Sequence, residues 1–171
     1  ANFEGASLEW ADMSGANLKG ANLKGAKLKY ASFHNAILRQ ANLEGADLGN
    51  ADLENANLEQ ANLRHASMVK SDLKLADLEQ ANLENANLER ADLSGADLSW
   101  TVLGDARITD CRIDKGDFSK AKFVGTHFLR CWGAAKFEGA DLTNARFNHA
   151  FLTGSNFRKI TAPKSFWECA R

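Results

Sequence analysis

From Phe3 to Phe128 every fifth residue of the chain is a large apolar one: Leu, Phe, Met or Ile, 26 times without a miss. Two residues before each of these stands Ala or another small residue. The pattern slips at Cys131–Ala134, which is one residue short of a block, and resumes at Phe137, Leu142, Phe147, Leu152 and Phe157. Of the 31 regular blocks, 25 begin with Ala; the other six begin with Ser71, Thr101, Cys111, Gly116, Thr126 and Ser155, all small. A fixed short period of this kind marks a repeat architecture. Five is not a helical spacing, which would place apolar residues at i, i+3, i+4 and i+7. Apolar side chains at the first and third places of a block instead leave one side of a short extended segment. The last two places are rich in Gly, Asn, Gln, Lys and Glu, and Gly and Asn are the residues that positive-φ turns accept. Each block therefore reads as a very short strand followed by a turn. One block cannot bury its own apolar pair, but stacked coils bury a continuous column.

The blocks Ala-Asn-Leu-Lys-Gly (21–25), Ala-Asn-Leu-Glu-Gly (41–45) and Ala-Asp-Leu-Ser-Gly (91–95) resemble the pentapeptide-repeat family, whose motif is A-(D/N)-L-x-x. Regular members of that family abound in cyanobacteria. The resemblance implies an all-β fold, a right-handed quadrilateral β-helix with four blocks to each square coil. It predicts about 7–8 coils over residues 1–159, irregular at 131–134, and a rod roughly 37 Å long at about 4.8 Å per coil. Residues 160–171, with Pro163, Phe166 and Trp167, are expected to form a short C-terminal cap, as a turn or helix laid over the last coil. That end is also a candidate dimer contact. The chain starts at Ala1 in mid-repeat, so an excised domain or an end-to-end contact is expected there, because a bare first coil exposes strand edges.

Composition adds little beyond this until charge is read by region. The net charge is −1, but residues 1–40 carry five basic and three acidic groups, residues 41–105 four basic and thirteen acidic, and residues 106–171 twelve basic and six acidic. With a coil of twenty, Asp52, Asp72 and Asp92 stack in one column and Asp77, Asp97 and Asp117 in the next, flanked by Glu54, Glu59 and Glu79. Along the rod this belt has about the charge spacing of duplex DNA. Asn2, Asn22, Asn42, Asn62 and Asn82 share another column and are expected to form an amide ladder. Trp10 and Tyr30 are expected to stack. Trp100 stands at an outward place beside the belt and is a candidate contact residue.

Catalytic constellations are absent. His34, His65, His127 and His149 occupy outward places, and no metalloprotease, nucleophile-elbow or phosphate-loop motif occurs. No cofactor and no metal site are expected. Cys111 and Cys131 fall at inward first places of adjacent coils and are expected to be buried thiols; Cys169 is the odd one. No stretch of 18 apolar residues exists, and no signal peptide is visible. Cytoplasm, periplasm, thylakoid lumen and attachment to a membrane protein all stay open. The sequence therefore points to a non-enzymatic scaffold that presents a charged surface to a protein partner, with Asp52, Glu54, Asp72, Asp77, Glu79, Asp92, Asp97 and Trp100 as the candidate surface. Direct nucleic-acid binding is not expected. The alternative, taken from the quinolone-resistance branch of the family, is a DNA mimic acting on DNA gyrase or a related topoisomerase.

Overall fold

A computed structural model describes residues 1–170, and its blocks follow one plan except around the slip. The second residue of a regular block pairs in parallel with the residue twenty positions on: Asn2 with Asn22, Ser7 with Lys27, Asp12 with Ser32, Asn17 with Ile37. These four pairings define four faces, numbered 1 to 4, of a square right-handed coil. Among the described residues pairing lengthens into conventional strands only once, on face 2: β1 (Arg107–Thr109) pairs with β2 (His127–Leu129), with Ile108 opposite Phe128. Among the described residues no helix is long and apolar enough to cross a membrane.

The backbone hydrogen bonds explain the block. In the block Ala21–Gly25, the second N–H donates to the coil before (Asn22 N to Ala1 O, 2.9 Å), and the third to the coil after (Leu23 N to Asn42 O, 2.7 Å). The fifth also donates forward (Gly25 N to Glu44 O, 2.8 Å), and the next first residue closes the turn (Ala26 N to Leu23 O, 3.0 Å). That leaves the fourth N–H, and a buried or half-buried donor needs a partner. The second-place side chain supplies it: Asn22 Oδ1 accepts from Lys24 N at 3.2 Å, and Asp52 Oδ1 from Glu54 N at 3.0 Å. The preference for Asn or Asp at the second place is thus a turn requirement. Only part of the expected amide ladder forms beside it. Asn62 Nδ2 reaches Asn42 Oδ1 at 3.1 Å and Asn42 reaches Asn22 at 3.5 Å, while Asn22 Nδ2 turns to Glu4. The fifth residue has positive φ, even where it is Trp10, Leu75 or Trp100. Trp10 and Tyr30 stack at 4.1 Å with a 7° interplanar angle.

Inside, the third-place side chains from Leu23 to Phe147 are fully buried, with the first-place residues between them. Small polar substitutes for Ala find a carbonyl: Thr101 Oγ1 donates to Leu98 O at 2.7 Å and Thr126 Oγ1 to Leu103 O at 2.6 Å. Cys111 and Cys131 are free and buried, and their thiols donate to Leu88 O and Ile108 O. Burial pushes the Cys131 thiol well above its ordinary range.

From Phe118 on, aromatic rings fill the column. Phe118 stacks on Phe137 at 5.1 Å, Phe137 on Phe157 at 4.8 Å, and Phe147 on Trp167 at 4.4 Å. The segment after 159 departs from the expected turn or helix. Thr161 pairs with Asp141 and Phe166 with Arg146, so the coil simply continues. Trp167, half-buried, packs over the end of the column, whereas Phe166 faces outward, 54% exposed.

The slip at 131–134 is a real distortion. Pairing steps by twenty at Arg112–Trp132 and by nineteen at Asp117–Lys136. Trp132 leaves the core and faces outward at 46% exposure, and Gly133 takes φ of 123°. Gly116, at a first place where Ala is the usual residue, has little room for a side chain. A Cβ there would lie 3.1 Å from both Ile113 O and Phe118 Cε2. Although it restores the commonest first-place residue, Gly116→Ala is therefore expected to destabilise the rod by about 1–3 kcal/mol in urea unfolding. A gain of the usual ~0.4–1 kcal/mol for Gly to Ala would show that the ring yields freely.

Candidate functional site

The eight candidate residues divide between two adjacent faces. Asp52, Asp72 and Asp92 form a paired column on face 3, with Glu54 two residues after the first of them; Asp77 and Asp97 continue to Asp117 on face 4, with Glu79 beside them. Every one of these Asp side chains is half-buried and spends one oxygen on its own turn. Oδ1 of Asp72, Asp77, Asp92 and Asp97 accepts from the N–H of Lys74, Glu79, Ser94 and Ser99 at 3.0, 3.0, 3.0 and 2.8 Å.

The second oxygens meet different surroundings on the two faces. On face 3, Lys74 Nζ lies 2.6 Å from Asp72 Oδ2 and 3.7 Å from Asp92 Oδ2. The hydrogen bond to Asp72 raises the Lys74 pKa, offset in part by desolvation. The first column is therefore bridged by a cation of its own. On face 4, Asp77 Oδ2 accepts from Asn57 Nδ2 at 3.2 Å, and Asp117 pairs with Lys136 at 3.1 Å. Burial raises the Asp117 pKa, but the hydrogen bonds of Ser119 and Lys136 outweigh it and hold the carboxyl below its ordinary value. Between them, Asp77 and Asp97 make no ion pair among the described residues. Other acids of the belt are matched across coils, Glu59 by Arg39 at 2.7 Å and Glu84 by Arg64 at 3.2 Å.

Two exposed apolar side chains border face 4. Trp100, 53% exposed, sits at the corner that follows Asp97; Lys120 Nζ lies 4.2 Å from its ring centroid. At the opposite corner stands Leu75, 59% exposed, whose Cδ2 covers the place where Gly95 has no side chain. The sequence reading missed Leu75. Its signal was a Leu at the fifth place, where φ is 56° and Gly or Asn would be cheaper. Face 4 is thus a flat strip with Leu75 and Trp100 at its edges and the unbridged Asp77 and Asp97 between them. The structure also places His34 of one coil against Asp52 and Glu54 of the next.

These features match a known class. The model of the family described as Pentapeptide repeats fits residues 1–40, 41–80, 71–110, 91–130 and 134–159, leaving a gap where the coil is shortened. The chain belongs to that family, whose members are generally structural or interaction proteins rather than enzymes. A search of curated proteins found no match. Among solved structures, a trypsin-treated variant of QnrB1, a plasmid-mediated fluoroquinolone resistance protein, has a TM-score of 0.80 with 26% identity over 94% of this chain and 85% of that one. A pentapeptide repeat protein from the thylakoid lumen of Arabidopsis thaliana has a TM-score of 0.56 with 34% identity over 57% of this chain and 68% of that one. A second QnrB1 variant, at 23% identity and a TM-score of 0.73, agrees in fold.

Proposed function

We propose that this protein is a non-enzymatic interaction scaffold that receives a basic protein partner on face 4, between Leu75 and Trp100. The observation that carries this is the choice of Asp at positions 77 and 97. The turn needs only a side-chain oxygen, and Asn57 supplies one just as well to Glu59 N at 3.1 Å. The turn therefore does not require the charge. Two unit charges about 4.8 Å apart repel by roughly 0.9 kcal/mol in water, and like charges directly opposite weaken parallel strands. On face 3 Lys74 relieves that repulsion; on face 4 an external cation is left to do so. The flanking Trp100 is the residue type that most often anchors such contacts.

The experiment is the double variant Asp77→Asn/Asp97→Asn. It is expected to stabilise the isolated rod at low salt, with a gain that shrinks as salt screens the charges. Asp72→Asn/Asp92→Asn should gain less, because it strips Lys74 of its partners. The face 4 variant and Trp100→Ala should each weaken capture of the physiological partner. Unchanged capture by both would make the face a solvated surface only.

The second reading is a DNA mimic that modulates a gyrase-type topoisomerase. The likeness to a fluoroquinolone resistance protein favours it. The basic last third, with twelve basic groups against six acidic, speaks against it, since a mimic should be acidic along its contact length. A DNA gyrase supercoiling assay with the purified chain separates the two: inhibition abolished by the face 4 variant would establish the mimic.

A further inference from the structure

We infer that His34, Asp52 and Glu54 form a binding site for a divalent transition-metal ion of the Zn2+ type. His34 and Glu54 occupy the same turn position in successive coils of face 3, and Asp52 begins the short strand that leads into the Glu54 turn. One ligand atom from each of the three lies within 4.8 Å of the others. All three side chains are half-buried, so their backbones belong to the rigid stack rather than to a loose loop.

The remaining valences are open. Asp52 spends Oδ1 on Glu54 N at 3.0 Å, which fixes its carboxylate beside the next turn. Neither the His34 imidazole nor the Glu54 carboxylate has a hydrogen bond or ion pair among the described residues. Lys74, the next residue above Glu54 in that column, is committed to Asp72 at 2.6 Å. Among the described residues the other three histidines have no such carboxylate pair.

The donor set decides the ion. Mg2+ and Ca2+ favour sites made wholly of oxygen, whereas one imidazole nitrogen with two carboxylate oxygens suits Zn2+, Co2+ or Ni2+. Bonds of about 2.0–2.2 Å bring tetrahedral ligand atoms to roughly 3.4 Å from one another, so atoms already within 4.8 Å need to move together by little more than 1 Å. Three protein ligands on an open face leave a fourth position for water or for a donor from another molecule. A bound ion would also offset the repulsion between Asp52 and the paired Asp72. This inference rests on face 3 and is independent of the partner proposed for face 4.

The test uses the full chain carrying Cys169→Ser, which removes the exposed thiol as a competing ligand. Zn2+ is titrated by calorimetry and Co2+ by its visible absorption. One ion per chain is expected, with Mg2+ unable to compete at equal concentration. His34→Ala and Glu54→Gln should each raise Kd about tenfold or more, while His65→Ala leaves it unchanged. In the protein with all three ligands intact, Zn2+ should shift the His34 imidazole resonances and spare those of His127 and His149. Absence of binding, binding unaffected by His34→Ala, equal competition by Mg2+, or an unmoved His34 resonance would each overturn the site.

Discussion

Gly133→Ala is expected to destabilise the protein by about 2–6 kcal/mol, measured by urea or thermal unfolding. Two costs of about 1–3 kcal/mol each contribute. Gly133 has φ of 123°, a conformation that residues with a Cβ rarely adopt. An added Cβ would also lie 2.6 Å from Asp114 N and 2.8 Å from Asp114 Cα, and that backbone cannot swing aside as a long side chain would. The cause is the shortened coil. With one residue fewer to round the corner, the chain cuts across it and passes close to the coil before. Gly104→Ala is the control. Its φ is not positive, and its nearest atoms lie at 3.6 and 3.7 Å, so the change should stay within about 0.5 kcal/mol. Equal melting of the two variants would mean that the corner relaxes and the close approach is not enforced.

Leu78→Ala should cost about 2–5 kcal/mol. Leu78 is completely buried mid-rod, with Leu58 below and Leu98 above in the same column. Its neighbours are held by backbone bonds to both adjacent coils, such as Leu78 N to Asp97 O at 2.7 Å, so the cavity cannot collapse without breaking the stack. Glu79→Ala, one residue on, removes a half-buried outward side chain whose carboxylate accepts only from Gln80 Nε2 at 3.1 Å. It should change stability by no more than about 0.5 kcal/mol. If both variants melted together, the alternation that defines inside and outside would be wrong.

Most of the candidate surface follows from period and charge alone. Once the coil holds four blocks, Asp52, Asp72 and Asp92 must stack, and so must Asp77, Asp97 and Asp117; the same arithmetic stacks Trp10 on Tyr30. What it leaves undecided is the difference between the two acidic columns. Lys74 is one residue among many at a turn position until its Nζ is seen between Asp72 and Asp92. Leu75 looks like an irregular turn residue until it flanks face 4. The role of second-place Asn and Asp in holding the fourth N–H was equally hidden, because it is a hydrogen bond that only the folded turn creates.

The repeat of apolar residues at the first and third places was sufficient for the strand-and-turn block, the inward column and the position of the slip, while the four-sided coil of twenty residues came from the resemblance of the blocks to the pentapeptide-repeat family. The pattern is written in every block, and stacking of the blocks buries the apolar pairs as one continuous column. The tertiary structure alone decided which carboxylates are neutralised, that His34 meets Asp52 and Glu54, why Gly133 has no room for a Cβ and why Gly116 has little. Those outcomes depend on where side chains of different coils meet and on how the backbone turns one shortened corner. Contacts between coils are set by distances of a few ångströms across residues about twenty apart, which a five-residue pattern does not encode.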